Sequence, residues 1–311
     1  MNRAESATAP LIDDSPLADS LSQGESVKTA GAAIELGEIV VFVDGQGATA
    51  GILESAASLA QDHGAHLTGV FMQPLPAATP PEMFARGKGV WDVIDAHRAQ
   101  LEAIEADHHT LFADTVRRHG IRSEWRSVPY LSGDVEVNAR YADLAVVARP
   151  DLAGHTASPP GLLESLVLTS GRPVIVLPPY GTVSGIRRIL VGWNGEREAV
   201  RAVADALPFL VRAEVVEVLV VDPERRPSAH GQEPGADIAR YLARHGVHVE
   251  VRRLSSGSED VGHILLSRAA AFGADLVVMG AYGHSHLNEW IFGGVTRTAL
   301  REASLPVLMS R

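Results

Sequence analysis

From about residue 37 onward the chain alternates between short β-branched apolar runs and longer segments in which apolar residues recur every three or four positions. This alternation predicts strands, each followed by an amphipathic helix, the order of a parallel sheet with helices on its faces. In the second half, apolar runs at 189–192, 216–221, 247–254, 276–279 and 306–309 predict five strands. Helical spacing falls at 196–212, 235–245, 259–272 and 294–303, and Gly273 stands where the third of these helices needs a left-handed C-terminal cap. The first half offers the same series at 39–43, 66–72, 122–128, 144–148 and 173–177, with a longer helix over roughly 90–118.

The two series align, which is the mark of an internal repeat. Ala-Asp-Leu-Ala-Val-Val-Ala at 142–148 matches Ala-Asp-Leu-Val-Val-Met-Gly at 274–280, and Arg-Pro-Val-Ile-Val-Leu at 172–177 matches Leu-Pro-Val-Leu-Met-Ser at 305–310. Pro178, Pro179, Gly181 and Gly185 punctuate the stretch between them. A length of 311 residues suits two such units. Residues 1–36 carry six acids against two bases and no sustained apolar period, which predicts an acidic tail without fixed structure.

Composition narrows the chemistry. The absence of cysteine excludes disulfides, thiolate metal sites and thiol nucleophiles. A formal charge of −11 opposes broad adhesion to nucleic acid or anionic lipid. No apolar run approaches the roughly 20 residues that span a bilayer, and Asp13, Asp14 and Asp19 precede any long apolar stretch, so a cytoplasmic protein is expected.

The densest chemical signal follows the fourth strand of the second half. Gly280 ends that strand, where open parallel sheets place ligands. Gly283 lies in the following loop, where the lack of a side chain lets backbone amides approach a phosphate. Gly293 and Gly294 precede the amphipathic segment Val295, Ala299, Leu300 and Ala303, so their amides are donors at a helix N-terminus.

The spacing Gly, two residues, Gly, nine residues, Gly resembles the signature of ATP-binding universal stress proteins, well over 187–311 and weakly over 38–178. The resemblance implies an α/β fold of two tandem Rossmann-like (adenine nucleotide alpha hydrolase-like) domains, each a five-stranded parallel sheet with helices on both faces. It divides the chain into the tail at 1–36, a degenerate domain at 37–178, a linker at 179–187 and an ATP-binding domain at 188–311. Asn194, Gly195, Val221, Met279, Gly280, Tyr282, Gly283, Gly293, Gly294, Val295 and Thr296 are the binding residues it implies, with ATP, alone or with Mg2+, as ligand. Thr296 matches a residue that contacts phosphate or caps the helix. Two positions depart from the family pattern: Gly294 stands where Ser or Thr is usual, and Asn194 where strand one commonly ends in Val-Asp-Gly. The first half keeps Val43-Asp44-Gly45 but has Ala148, Asp151, Pro159 and Pro160 where glycines should be, so it is expected to have lost its site.

By the same resemblance, the domains pair through their last strands as an intrachain pseudo-dimer, with a homodimer also open, and the protein serves survival under stress. Two rival readings stand beside it. One is a stress scaffold or interaction protein that binds no nucleotide. The other is an NAD(P)-binding enzyme, resting on Gly45, Gly47 and Ala50, which fit a dinucleotide fingerprint but lack the acid expected about 20 residues on. The chain has no Gly-x-x-x-x-Gly-Lys-Ser/Thr loop, no Gly-x-Ser-x-Gly elbow and no His-Glu-x-x-His, so no enzyme is expected beyond slow ATP hydrolysis. His284 and His286 read as surface-loop residues rather than a metal pair, and Trp91, Trp193 and Trp290 as packing residues.

Overall fold

The computed structural model describes residues 35–44, 49–73, 88–129, 134–149, 161–179, 183–225, 232–282 and 294–311. The first series runs β1 (Glu38–Val43), α1 (Thr49–His63), β2 (His66–Gln73), α2 (Lys88–His119), β3 (Ser123–Pro129), α3 (Asp134–Arg140), β4 (Leu144–Ala148), α4 (Leu162–Thr169) and β5 (Val174–Leu177). The second runs β6 (Arg188–Gly192), α5 (Arg197–Leu210), β7 (Val215–Val221), α6 (Ala236–Arg244), β8 (Val249–Leu254), α7 (Val261–Phe272), β9 (Leu276–Gly280), α8 (Gly294–Glu302) and β10 (Val307–Ser310). A 3₁₀ turn at Pro223–Arg225 follows β7. Gly273 closes α7 at φ 67°, the left-handed cap its sequence position predicts.

The repeat is visible in one recurring device. Asp143 Oδ2 accepts the amides of Gly37 at 2.9 Å and Glu38 at 3.1 Å, which enter β1. Asp275 Oδ2 accepts those of Arg187 at 2.9 Å and Arg188 at 2.8 Å, which enter β6. The aspartate of each Ala-Asp-Leu segment thus fixes where the neighbouring strand begins.

The expectation of two separate five-stranded Rossmann-like domains does not hold. The strands form one continuous ten-stranded sheet in the order β3-β2-β1-β4-β5-β10-β9-β6-β7-β8. Neighbours are parallel except β5 and β10, which pair antiparallel with Val307 opposite Val176, Leu308 opposite Ile175 and Met309 opposite Val174, so the sheet is mixed. The physical reason lies in these two strands. Both are buried along their whole length, and leaving either as an edge would expose unpaired backbone groups on an apolar strip. Arg149 reinforces the seam by donating to the Ala303 carbonyl at 2.8 Å.

Alternation along the strands feeds two cores, one on each face. Ile39, Val41, Ile189, Val191, Val278 and Leu308 point to the face covered by α1, α2, α5 and α6. Val40, Phe42, Leu190, Leu219, Val277 and Met309 point to the face covered by α3, α4, α7 and α8. Each core includes strands of both series, so neither half owns its own interior. Trp91 overturns its expected packing role: it is 68% exposed on the first turn of α2.

Candidate functional site

A cavity of about 350 Å³ opens at the carboxyl ends of β6, β7 and β9. The chain leaves β6 for β7 on one side and later returns as β9 on the other, so the cavity sits at a reversal of strand order, where such sheets open a crevice. Gly192, Trp193 and Asn194 line it from the end of β6, Leu219, Val221 and Asp222 from β7, and Met279 and Gly280 from β9. The first turn of α5 adds Glu198 and Ala199, α7 adds Val261 and Leu265, and the N-terminus of α8 adds Gly294, Val295 and Thr296. Arg225 supplies the basic side chain among these lining residues.

Seven of the expected site residues therefore share one cavity: Asn194, Val221, Met279, Gly280, Gly294, Val295 and Thr296. Gly195, at φ 74°, forms the turn into α5, and Tyr282 follows β9; neither is among the lining residues. Gly283 and Gly293, like His284, His286 and Trp290, lie outside the described residues, as do Asp151, Pro159 and Pro160 of the first half. Trp193 packs against the core, as expected, and also forms part of the cavity wall.

The local chemistry refines several roles. Asn194 Oδ1 accepts the Glu196 amide at 3.0 Å, an Asx turn that leads the backbone into α5. Thr296 is buried, and its hydroxyl accepts the Tyr282 amide at 3.3 Å, tying the end of β9 to α8. Gly280 is needed for packing. A Cβ there would stand 2.6 Å from both the Ala199 nitrogen and the Glu198 carbonyl carbon, so α5 can close over β9 only because this position has no side chain. Gly280→Ala is accordingly expected to cost about 1 to 3 kcal/mol through overpacking against backbone. Urea unfolding measures it, and an unchanged midpoint would mean that α5 can move away freely.

Asp222 carries no motif and was not legible as a site residue. It is buried, yet its carboxylate accepts the Ser256 amide at 2.7 Å, the Ser255 hydroxyl at 3.3 Å and the Ser256 hydroxyl, and pairs with Arg225 Nη1 at 3.2 Å. The Ser256 hydroxyl first, then its amide and the Arg225 charge, hold this carboxyl below the ordinary aspartate range against the opposing effect of burial. With its acceptor sites filled, Asp222 anchors the segment after β8 and holds Arg225, one of the lining residues. Asp222 at φ 49° and Tyr282 at φ 58° are the non-glycine residues with positive φ among the described residues, and both stand at the cavity ends of strands. Backbone strain of this kind gathers where a fold holds a site in shape.

At the N-terminus of α7, Asp260 Oδ1 accepts the amides of Gly262 at 2.9 Å and His263 at 3.3 Å and the Thr298 hydroxyl at 3.2 Å. Its Oδ2 lies 3.4 Å from where a Cβ on Gly294 would be, which places a carboxylate beside the first residue of α8. No group of three or more metal-ligating side chains occurs among the described residues.

Residues 185–311 match the Universal stress protein family. The structure of a universal stress protein from Archaeoglobus fulgidus DSM 4304 is similar to this one at a TM-score of 0.64 and 13% identity, over 88% of this chain and 98% of that one. A functionally unknown protein from Pseudomonas aeruginosa PAO1 is similar at a TM-score of 0.57 and 13% identity, over 88% and 92%. A universal stress protein solved in complex with cAMP aligns with 41% of the chain at 19% identity and a TM-score of 0.33. No curated protein matches the sequence. The family match thus covers the half of the chain that contains the cavity, and the structural likeness extends the fold to the other half. No helix among the described residues is long and apolar enough to cross a membrane.

Proposed function

We propose that this protein binds ATP in the cavity at the ends of β6, β7 and β9 and acts as a nucleotide-responsive stress factor rather than as an efficient enzyme. The observation that carries the reading is the meeting of the Gly294 helix N-terminus with an apolar crevice at the strand-order reversal. A volume of about 350 Å³ falls within the range of small-molecule pockets, about 300 to 1,000 Å³. Val221, Leu219 and Met279 offer an apolar seat for a purine, and the amides that open α8 offer donors to phosphate. Any Mg2+ would arrive with the nucleotide, held mainly by its phosphates. In this reading 188–311 is the binding half and 37–178 a partner that has lost its site, so one ATP binds per chain. Calorimetric titration of the full chain tests this, and two equivalents bound would show the first half to be active.

One observation favours the rival reading of a scaffold without nucleotide: the Asp260 carboxylate beside Gly294 repels phosphate. Asp260→Asn decides between them. Asparagine caps a helix about as well as aspartate, so folding should be nearly unchanged. In magnesium-free buffer the variant is expected to bind ATP several-fold more tightly if phosphate sits at α8. Equal absence of binding in both proteins would leave the scaffold reading standing.

A further inference from the structure

The continuous sheet ends in two edges, β3 on one side and β8 on the other. Among the described residues β8 pairs with β7 alone, the Val216 amide donating to the His248 carbonyl at 2.8 Å and the Asp222 amide to the Leu254 carbonyl at 2.9 Å. In a parallel ladder alternate residues bond to the same neighbour, so the even-numbered residues of β8 face β7. The amides and carbonyls of Val249, Val251 and Arg253 therefore point outward from the sheet.

Such a row is a template for another strand, and charged side chains commonly protect it. On β8 the charges have a different consequence. Side chains alternate between the faces, Val249, Val251 and Arg253 on one and Glu250, Arg252 and Leu254 on the other. Glu250 and Arg252 are exposed, and Arg252 stands 3.9 Å from Glu217, a carboxylate that Arg268 already holds through two nitrogens. Arg253 is committed within the chain, donating to the Pro234 carbonyl at 2.9 Å and to Glu233 at 2.8 Å. We propose that β8 is the contact surface for a second copy of this chain, the two strands running antiparallel about a two-fold axis at Val251, with Glu250 of each opposite Arg252 of the other.

A two-fold axis normal to the sheet keeps every side chain on its own face, so opposed residues differ by an even number. The outward-pointing residues then meet one another. Val251 meets its own copy and Val249 meets Arg253 of the other chain, each pair exchanging both backbone hydrogen bonds. Glu250 and Arg252 fall in the intervening pairs, where opposed side chains stand closer together. Moving the axis by one residue either way sets Glu250 against Glu250 or Arg252 against Arg252, and like charges directly opposite are unfavourable. The order Glu-Val-Arg is thus its own complement in one register. β3 has the same order in Glu124, Trp125 and Arg126, but there Arg126 holds Glu124 at 2.9 Å and 3.0 Å and reaches Asn138 at 2.9 Å, so its charges are matched inside the chain. A two-fold contact through β8 alone is closed, and association stops at the dimer.

The pairing is short, so the dimer is expected to be a weak one. Sedimentation velocity of the full chain, over a series from about 1 to 500 µM, should show monomers giving way to dimers and to nothing larger. In the wild-type chain the amides of Val249, Val251 and Arg253 should exchange with solvent more slowly as concentration rises. Glu250→Arg should weaken association about tenfold or more, and adding Arg252→Glu to it should restore association, because opposite charges then face each other again. Urea unfolding checks that each variant folds. Val251→Pro tests the backbone contact separately: it removes an outward amide and leaves the ladder to β7 intact, a position where an edge strand tolerates proline. This variant should also lose the dimer. Glu124→Arg, on the opposite edge, should leave it unchanged. Monomers throughout the series, association beyond the dimer, dimers indifferent to both Glu250→Arg and Val251→Pro, or dimers lost on Glu124→Arg would overturn the proposal.

Discussion

Arg268→Met is expected to destabilise the fold by about 3 to 5 kcal/mol, because it strands a carboxylate in the interior. Glu217 lies in the middle of β7 with 1% of its surface exposed, and Arg268 on α7 holds it by Nε at 2.6 Å and by Nη2 at 2.5 Å. Arg252 of β8 stands 3.9 Å away and cannot replace a two-point contact. The informative control is the double variant Glu217→Met with Arg268→Met. Removing both charges and keeping the volume should recover most of the loss, since a buried pair contributes little net stability against a well-packed apolar alternative. Urea denaturation of the three variants measures the coupling. A single variant as stable as wild type would show that Glu217 finds water or another partner.

Stability is also expected to fall by about 2 kcal/mol between pH 6.5 and 4 because of His63 alone. Burial and the Arg212 charge depress the folded ring to about 4 from an ordinary value of 6.5. Between those limits the unfolded chain takes up a proton that the folded chain refuses, so the group favours unfolding as pH drops and has no effect above about 6.5. The full shift would give a larger figure; contact with a solvent-connected cavity reduces it. Other acids titrate in this window, so the measured quantity is the difference between wild type and His63→Leu. The variant should show the shallower pH dependence. Parallel curves would mean that the ring is protonated in place, with Arg212 displaced.

Period and punctuation made most of the strands and helices legible. Runs such as Ile39 to Val43 and Leu144 to Ala148 sit within a residue or two of their strands, because β-branched residues buried on both faces leave little choice of structure. The seam carries no mark in the sequence pattern itself, and pairing of the last strands is implied by the resemblance alone. Pairing between Val174–Leu177 and Val307–Ser310 joins strands distant in sequence, and an apolar strand carries no mark of which apolar strand will lie beside it. At the candidate site the glycine spacing located the end of β9 and the start of α8, yet it assigned Gly280 to the ligand when its tightest demand is from α5. Asp222 and Arg225 escaped notice because their roles depend on Ser255 and Ser256, in the segment after β8. Glu217 stands alone among apolar residues in Val-Val-Glu-Val-Leu-Val-Val, and only the tertiary placement of Arg268 makes its burial tolerable.

The antiparallel junction of β5 and β10 comprises three residue pairs, and around it both cores run across from one half to the other. Here its partners are joined through the short stretch between Leu177 and Arg188, and Val183 within it is pinned by its amide to the Ser55 hydroxyl of α1 at 2.9 Å. Tethering of this kind sets an effective concentration in the millimolar range or above, whatever the amount of protein in solution. The joined sheet is therefore indifferent to dilution: a cell holding few copies has the same fraction assembled as one holding many, and no change in expression level can act as a switch on this junction.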